Sequence, residues 1–232
     1  MSFIVAEIGV NWDGDFELAR DMMSHAKEIG CNAVKFQAFQ ENTISSHPQA
    51  SRLIKSSISE SNIQQINKLA KSIGIEWFCT PMYPEAVDML DPFVRRFKIR
   101  VADAKPILDN KRSEILERIL KTEKEIIISS EVSPVDNSYY LNPKIKWLYC
   151  VPKYPCELTE LDFRNIRFFN GYSNHCPNFI APLTAAILGS SIIEIHITSD
   201  KSKDFFDNNV SFDYQELTYL VNAIRLSEKI RK

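Results

Sequence analysis

Ile29-Gly30-Cys31-Asn32-Ala33-Val34-Lys35-Phe36 brings two patterns together within a few residues. Ahead of it, Leu18, Met22, Ala26 and Ile29 recur every three to four positions, the stripe of a helix that lays one face on a core. After it, Ala33-Val34-Lys35-Phe36 is short and rich in strand formers. Glycine accepts the left-handed backbone that ends a helix, so Ile29-Gly30 reads as a helix cap and a tight turn into a strand. The same grammar recurs where Ile73-Gly74 precedes Glu76-Trp77-Phe78 and where Leu188-Gly189 precedes Ile192-Ile193-Glu194-Ile195. Ile63, Ile66, Ala70 and Ile73 form a second helical stripe, and Leu217, Leu220, Val221 and Ile224 a third. Helices that repeatedly feed strands are the signature of parallel βα units.

Working outward, eight strand-like runs occupy residues 3–8, 33–36, 76–79, 96–99, 125–128, 146–151, 167–172 and 192–197. Spread over 232 residues they give 29 per unit (232/8), close to the ~250-residue norm of the (β/α)₈ TIM barrel. The expected architecture is that barrel, as a single domain over residues 1–232. Residues 131–143 carry Pro134, Asn137 and Asn142, too short and broken for a good crossover helix, so one outer helix between strands 5 and 6 is expected to be missing or degenerate. An open doubly wound sheet is the alternative, but it would show a Gly-rich turn after strand 1. Gly9 and Gly14 around Val10-Asn11-Trp12-Asp13 do not fit G-x-G-x-x-G. The basic end Lys229-Ile230-Arg231-Lys232 suits a helix C-terminus.

Hydrophobic residues make up 44% of the chain, enough for a continuous core. The 28 Lys and Arg nearly cancel 30 Asp and Glu, and the net charge of −2 offers no basic footprint for nucleic acid or an acidic membrane surface. No apolar stretch reaches the ~18 residues of a membrane span, and Met1 runs directly into a strand-like run, so a cytoplasmic protein is expected. Five cysteines are odd in number and contain no C-x-x-C, which argues against a disulfide framework or structural zinc. Reduced thiols are expected, with Cys79 and Cys150 packing inside strands.

In a parallel barrel the chemistry sits at the C-terminal ends of the strands. Those ends read Glu7, Lys35 with Gln37, Thr80, Lys98 with Asp103, Ser129 with Ser130, Lys153 with Tyr154, Ser173 with His175, and His196. A charged side chain inside an apolar strand is costly unless paired, and polar groups converging from so many strands are what an active-site mouth requires. The competing interpretation is a ring of satisfied ion pairs. Lys35 and Lys98 supply fixed cations and Thr80, Ser129 and Ser173 short hydroxyls, a set suited to a small phosphorylated anion. His175 and His196 end neighbouring strands and could share a divalent metal with open positions for substrate or water. His25 and His47 read as helix and loop residues.

Read in order, these segments resemble the N-acetylneuraminate (sialic acid) synthases and their relatives in spore-coat and nonulosonic acid biosynthesis. The resemblance runs through Ala6-Glu7-Ile8-Gly9-Val10-Asn11, Val34-Lys35-Phe36-Gln37, Cys79-Thr80-Pro81, Phe97-Lys98-Ile99 and Ile128-Ser129-Ser130. It continues in Cys150 with Tyr154-Pro155, Gly171-Tyr172-Ser173-Asn174-His175, and Ile193-Glu194-Ile195-His196-Ile197-Thr198. It implies a barrel that condenses phosphoenolpyruvate with an open-chain N-acylated hexosamine, releasing phosphate and forming an α-keto sugar acid. Lys35, Thr80, Lys98, Ser129 and Ser173 would hold phosphoenolpyruvate, and His175 and His196 would bind Mn²⁺ or Mg²⁺. Glu7, Gln37, Tyr154 and Asp207 match positions that contact sugar or metal-bound water, and Asp103 a carboxylate placed for proton transfer, so Asp103, Lys98 and Glu7 form the expected catalytic set.

Departures from that pattern are explicit. Asn11-Trp12 replaces an Asn-His, Arg100-Val101-Ala102 replaces Gly-Ser-Gly or Ala-Ser-Gly before Asp103, and Ser130-Glu131-Val132 replaces Thr-Gly-Met. Around Asp207, Lys203-Asp204-Phe205-Phe206 lacks the usual Gly-Pro-Asp. The resemblance covers the barrel alone, without the family's C-terminal antifreeze-like domain, so a homodimer or a separate chain supplying the lid is expected. Two alternatives stand beside the synthase reading. One is condensation with a sugar phosphate, with Arg100 and Lys105 facing that phosphate; the other is a catalytically decayed barrel serving as a scaffold or regulatory subunit.

Overall fold

The strand-like runs assemble in chain order into one closed barrel of parallel strands, β1 (Phe3–Gly9), β2 (Ala33–Ala38), β3 (Glu76–Pro81), β4 (Arg96–Ile99), β5 (Glu125–Ser130), β6 (Ile145–Tyr149), β7 (Gly171–Asn174) and β8 (Ile192–His196). The computed structural model describes residues 1–230. Pairing of β8 with β1, from Phe3 opposite Ile192 to Glu7 opposite His196, closes the sheet and rules out the open alternative.

Helices cover the outside. α1 (Phe16–Glu28) links β1 to β2; α2 (Glu41–Ile44), α3 (Ala50–Leu53) and α4 (Ile63–Ile73) link β2 to β3; α5 (Pro84–Leu90) links β3 to β4. α6 (Val101–Leu108) and α7 (Glu114–Lys121) precede β5, α8 (Ile180–Ile187) precedes β8, and α9 (Tyr214–Ile230) follows it. The helical stripes face inward, with Met22, Ala26, Ile66, Ala70, Leu217, Leu220, Val221 and Ile224 all buried. Gly30, Gly74 and Gly189 have φ of 91°, 74° and 107°, the left-handed geometry that the repeated junction calls for. Asp15 starts α1 by accepting the Glu17 and Leu18 backbone N–H groups at 2.8 and 3.3 Å.

Residues 131–144 hold only turns and bends, so the outer helix between β5 and β6 is missing as expected. The link from β6 to β7 also lacks an α-helix and uses two 3₁₀ turns, Leu158–Glu160 and Phe163–Phe168. One strand is displaced: residues 167–168 belong to the second turn, and β7 begins only at Gly171. Asp162 caps that turn by accepting the Arg164 N–H at 3.0 Å. Phe169 then packs under Tyr149 with ring centroids 5.6 Å apart, so its β-favouring side chain fills the core from outside the sheet.

Trp12 is fully buried. Its Nε1 donates to the Ser56 carbonyl at 2.8 Å and its ring contacts Phe16 and Phe36. The five cysteines are free and buried. Cys150 lies one residue past β6 rather than within a strand. Lys229 sits in the last turn of α9, while Arg231 and Lys232 lie outside the described residues. Among the described residues no helix is long and apolar enough to cross a membrane.

Candidate active site

Alternation along each strand sends every second side chain into the barrel. Lys35 and Gln37 therefore point the same way on β2, as do Glu194 and His196 on β8, and the register sets Glu7 beside both Lys35 and His196. At the C-terminal ends of the strands these groups line a cavity of about 490 Å³. Glu7, Lys35, Gln37, Thr80, Lys98, Ser129, Tyr154, Ser173, His175, His196 and Asp207, all expected from sequence, share its walls.

Two lysines sit at its base, 3% and 2% exposed. The Lys35 ammonium is 2.9 Å from Glu7 Oε1 and donates to Thr80 Oγ1 at 3.1 Å. The Lys98 ammonium donates to Glu194 Oε1 at 2.7 Å, and Ser173 donates to the same oxygen at 2.8 Å. Glu194 Oε1 also lies 3.8 Å from Lys35, so one carboxylate serves both cations. Burial works against the charge on each lysine: for Lys35 the two glutamates overcome it and the pKa rises, whereas for Lys98 burial prevails and the pKa falls. Burial also opposes the charge on Glu194, but the lysines win and hold its pKa down at about 2.

Polar atoms here are left without protein partners. Glu7 Oε2, Ser129 Oγ and Glu194 Oε2 are buried with no hydrogen bond, although all three residues line the same cavity. Buried polar atoms are normally satisfied, so their clustering marks a place built for something other than stability. Gly9 allows the crowding, with φ of +54° and Glu7 Oε1, Gln37 Nε2 and Asp207 Oδ2 all within 3.3 Å of where a Cβ would stand. Gln37 donates to Glu7 Oε1 at 2.9 Å.

The histidine pair meets over the mouth, with ring centroids 5.3 Å apart. His175 Nδ1 lies 2.9 Å from the Val151 carbonyl, which can only accept, so Nδ1 carries the proton and Nε2 keeps its lone pair. Burial, aided by His196, pushes the His175 pKa down to about 3 and keeps the ring neutral. His196 Nδ1 is 3.3 Å from Asp207 Oδ2. Burial disfavours charge on His196, but Asp207 outweighs it and the pKa rises. A neutral imidazole fixed by a backbone carbonyl, beside a second one steadied by a carboxylate, is the donor arrangement seen around bound metals. Among the described residues no cluster of three or more His, Cys, Asp or Glu is arranged to hold a metal ion, and His175 and His196 would supply two ligands at most.

Asp103 is set apart from this group. It lies in the first turn of α6, pairs with Arg100 at 2.6 Å, and is not part of the cavity wall. Lys153 points outward, ion-paired with Glu160. Trp12 stays in the core, whereas Arg100, Val101 and Ala102 all line the cavity, the last two as the opening residues of α6.

Two contributors escaped the sequence reading. Glu194 could have been found, since a glutamate two residues before His196 in an otherwise apolar strand must share its face. Cys150, assigned to core packing, is a wall residue whose Sγ lies 3.6 Å from His175 Nδ1. An apolar side of the cavity, formed by Val10, Phe39, Ile44, Leu53, Met82 and Phe206, was also unforeseen.

Comparison with known proteins gives a consistent picture. The NeuB family profile matches residues 22–232. An N,N'-diacetyllegionaminic acid synthase of Legionella pneumophila is 30% identical, over 98% of this chain and 72% of that protein. The human N-acetylneuraminate-9-phosphate synthase is 28% identical, over 98% of this chain and 70% of its own length. Among solved structures, the N-acetylneuraminic acid (sialic acid) synthetase of Leptospira borgpetersenii, in complex with citrate, superposes with a TM-score of 0.85 at 25% identity, covering 99% of this chain and 85% of that one.

Proposed function

The chain belongs to the NeuB family, and from that premise we propose that it is a sugar-acid synthase that joins phosphoenolpyruvate to an N-acylated hexosamine. Support comes from its relatives, which include synthases of legionaminic and N-acetylneuraminic acid type, and above all from two buried lysines set among Thr80, Ser129 and Ser173 at the floor of one cavity. In the reaction, C3 of the enol attacks the acceptor aldehyde, water adds at C2, and phosphate departs from the resulting tetrahedral carbon, leaving the α-keto acid.

Lys35 and Lys98 bind the phosphate and carboxylate of phosphoenolpyruvate, with the hydroxyls of Thr80, Ser129 and Ser173 fixing their oxygens. The opening residues of α6, Val101 and Ala102, add the positive end of a helix to the same wall. Val101 brings no hydroxyl, so its contribution is confined to the backbone. His175 and His196 would hold a divalent ion, Mn²⁺ or Mg²⁺, which when bound would supply Lewis-acid polarisation of the aldehyde. Asp207 orients His196, and the Tyr154 ring, 4.0 Å from that of His175, covers the other side of the pair. Glu7 has a free carboxylate oxygen facing the cavity and is the better placed of the two candidate acids to move a proton; Asp103 would first have to leave Arg100.

A sugar-phosphate acceptor is less well served. Arg100 reaches the wall but its guanidinium is held by Asp103, and Lys105 does not line the cavity. Incubation with phosphoenolpyruvate, Mn²⁺ and a panel of N-acylated hexosamines should release inorganic phosphate only when a suitable acceptor is present. Release with none of them would refute the synthase reading and favour a scaffold.

A further inference from the structure

Three segments meet beside the mouth: the β1–α1 link with Asp13, α3 with Arg52, and residues 199–213 leading from β8 to α9. Arg52 grips Asp13 in a forked contact, Nε to Oδ1 at 2.8 Å and Nη2 to Oδ2 at 2.7 Å. Its other edge reaches across to Asp204, to the carboxylate at 3.3 Å and to the backbone carbonyl. The guanidinium carbon stands 5.3 Å from the centroid of the Phe206 ring. Phe206 in turn packs on Val10, Phe39 and Leu53 in the apolar side of the cavity.

The far end of the same segment is held differently. Asn11 Oδ1 accepts the Asp207 N–H at 2.9 Å, while its amide donates to the Ile197 carbonyl and to Ser211 Oγ. Asn11 thus fixes Asp207 from within, and Arg52 fixes residues 204–206 from the rim. A planar guanidinium that forks onto one carboxylate along one edge, reaches a second chain segment along the other and stands over an aromatic face is more confining than a lone surface ion pair. The Arg52 side chain is 30% exposed and that of Asp13 27%, so that pair is only partly screened by water, whereas the Asp204 carboxylate is 91% exposed and the hold on residues 204–206 rests on the Asp204 carbonyl and the Phe206 ring.

We propose that Arg52 is a positioning residue that latches residues 199–213 across the mouth, setting Phe206 and Asp207 against the acceptor side of the cavity. The proposal rests on the synthase reading for its kinetic consequence, but the latch itself is a statement about the loop. Arg52 touches neither the lysine pair nor the serine and threonine hydroxyls, so it bears on the acceptor rather than on phosphoenolpyruvate.

The test uses the full chain with Arg52→Ala and Asp13→Asn. Asn keeps the residue type that tolerates the φ of 54° at position 13, so the second variant removes charge without straining the backbone. Hydrogen exchange should quicken in residues 200–211 of each variant and stay unchanged in β8. The acceptor KM should rise about tenfold in Arg52→Ala, the equivalent of one charge-assisted hydrogen bond, while the KM for phosphoenolpyruvate stays within about twofold. The double variant should be no worse than Arg52→Ala alone, because the two residues share one contact. Unchanged exchange in residues 200–211, or both KM values rising in step, would overturn the latch. If the unaltered protein fails to release phosphate with any acceptor of the panel, the synthase reading falls, and the exchange data still decide the latch on their own.

Discussion

Glu194 explains how two ammonium groups can stay buried side by side. Its carboxylate lies between both, with Glu7 as the second counter-charge on Lys35, and its pKa near 2 keeps it ionised through the whole physiological range. On the proposed function, phosphoenolpyruvate competes with that carboxylate for Lys98, which donates to Glu194 at 2.7 Å. Replacing Lys98 by Ala should therefore weaken phosphoenolpyruvate binding by about 1.5–3 kcal/mol, the worth of a hydrogen bond to a charged group. Calorimetry giving equal affinity for the variant would remove Lys98 from the anion site. At this scale the inward-facing residues were legible, because period-two alternation marks them within their own strands. Arg52 was not, since its partners lie 39 and 152 positions away and only the closed fold brings them together. Trp12 illustrates the opposite case: a substitution conspicuous in the sequence that the structure assigns to core packing.

Helix–strand junctions carried the fold because each is a local event, with a glycine stop and a strand start a few residues apart. β7 was misplaced by four residues at its start because Phe168 and Phe169 have strand-like side chains, yet Asp162 commits the preceding stretch to a 3₁₀ turn. The junction after α1 offers a test of how tightly such corners are sealed. Cys31 lies there, 5% exposed, and burial pushes its thiol up to about 12 against a modest opposing effect of Arg225. Below the ordinary value of 9.0 the thiol is neutral in folded and unfolded chains alike. As pH climbs from there toward about 12 only the unfolded chain ionises, so the folded state loses stability over that window. Urea unfolding of the wild type and Cys31→Ala at about pH 7 and about pH 10.5 should show the wild type losing its advantage at the higher value. A difference independent of pH would mean that the thiol ionises as readily in the folded chain.

Across the whole molecule the barrel separates its two faces, and β4 spans both. Arg96 and Lys98 are two residues apart and point to the same side of the strand, but one lies at its start and the other near its end. Arg96 bridges Glu76 on β3 at 2.7 Å and Glu125 on β5 at 2.5 Å, and stacks over the Phe3 ring at 4.3 Å. It ties three neighbouring strands and covers the Phe3 ring at the start of β1, and it is not part of the cavity wall. Its loss would leave two glutamates facing each other without a cation, and partial exposure of all three side chains limits the effect to about 1–2 kcal/mol. Arg96→Ala should accordingly lower the urea midpoint while the kcat/KM for phosphate release stays at the wild-type value. Lys98→Ala should do its damage in binding. That division follows from parallel closure, which gathers the loops and strand ends of the chemistry at one rim and leaves the other rim free to be optimised for holding strands together. A fall in kcat/KM with Arg96→Ala comparable to that seen with Lys98→Ala would show that the two rims are mechanically coupled through β4.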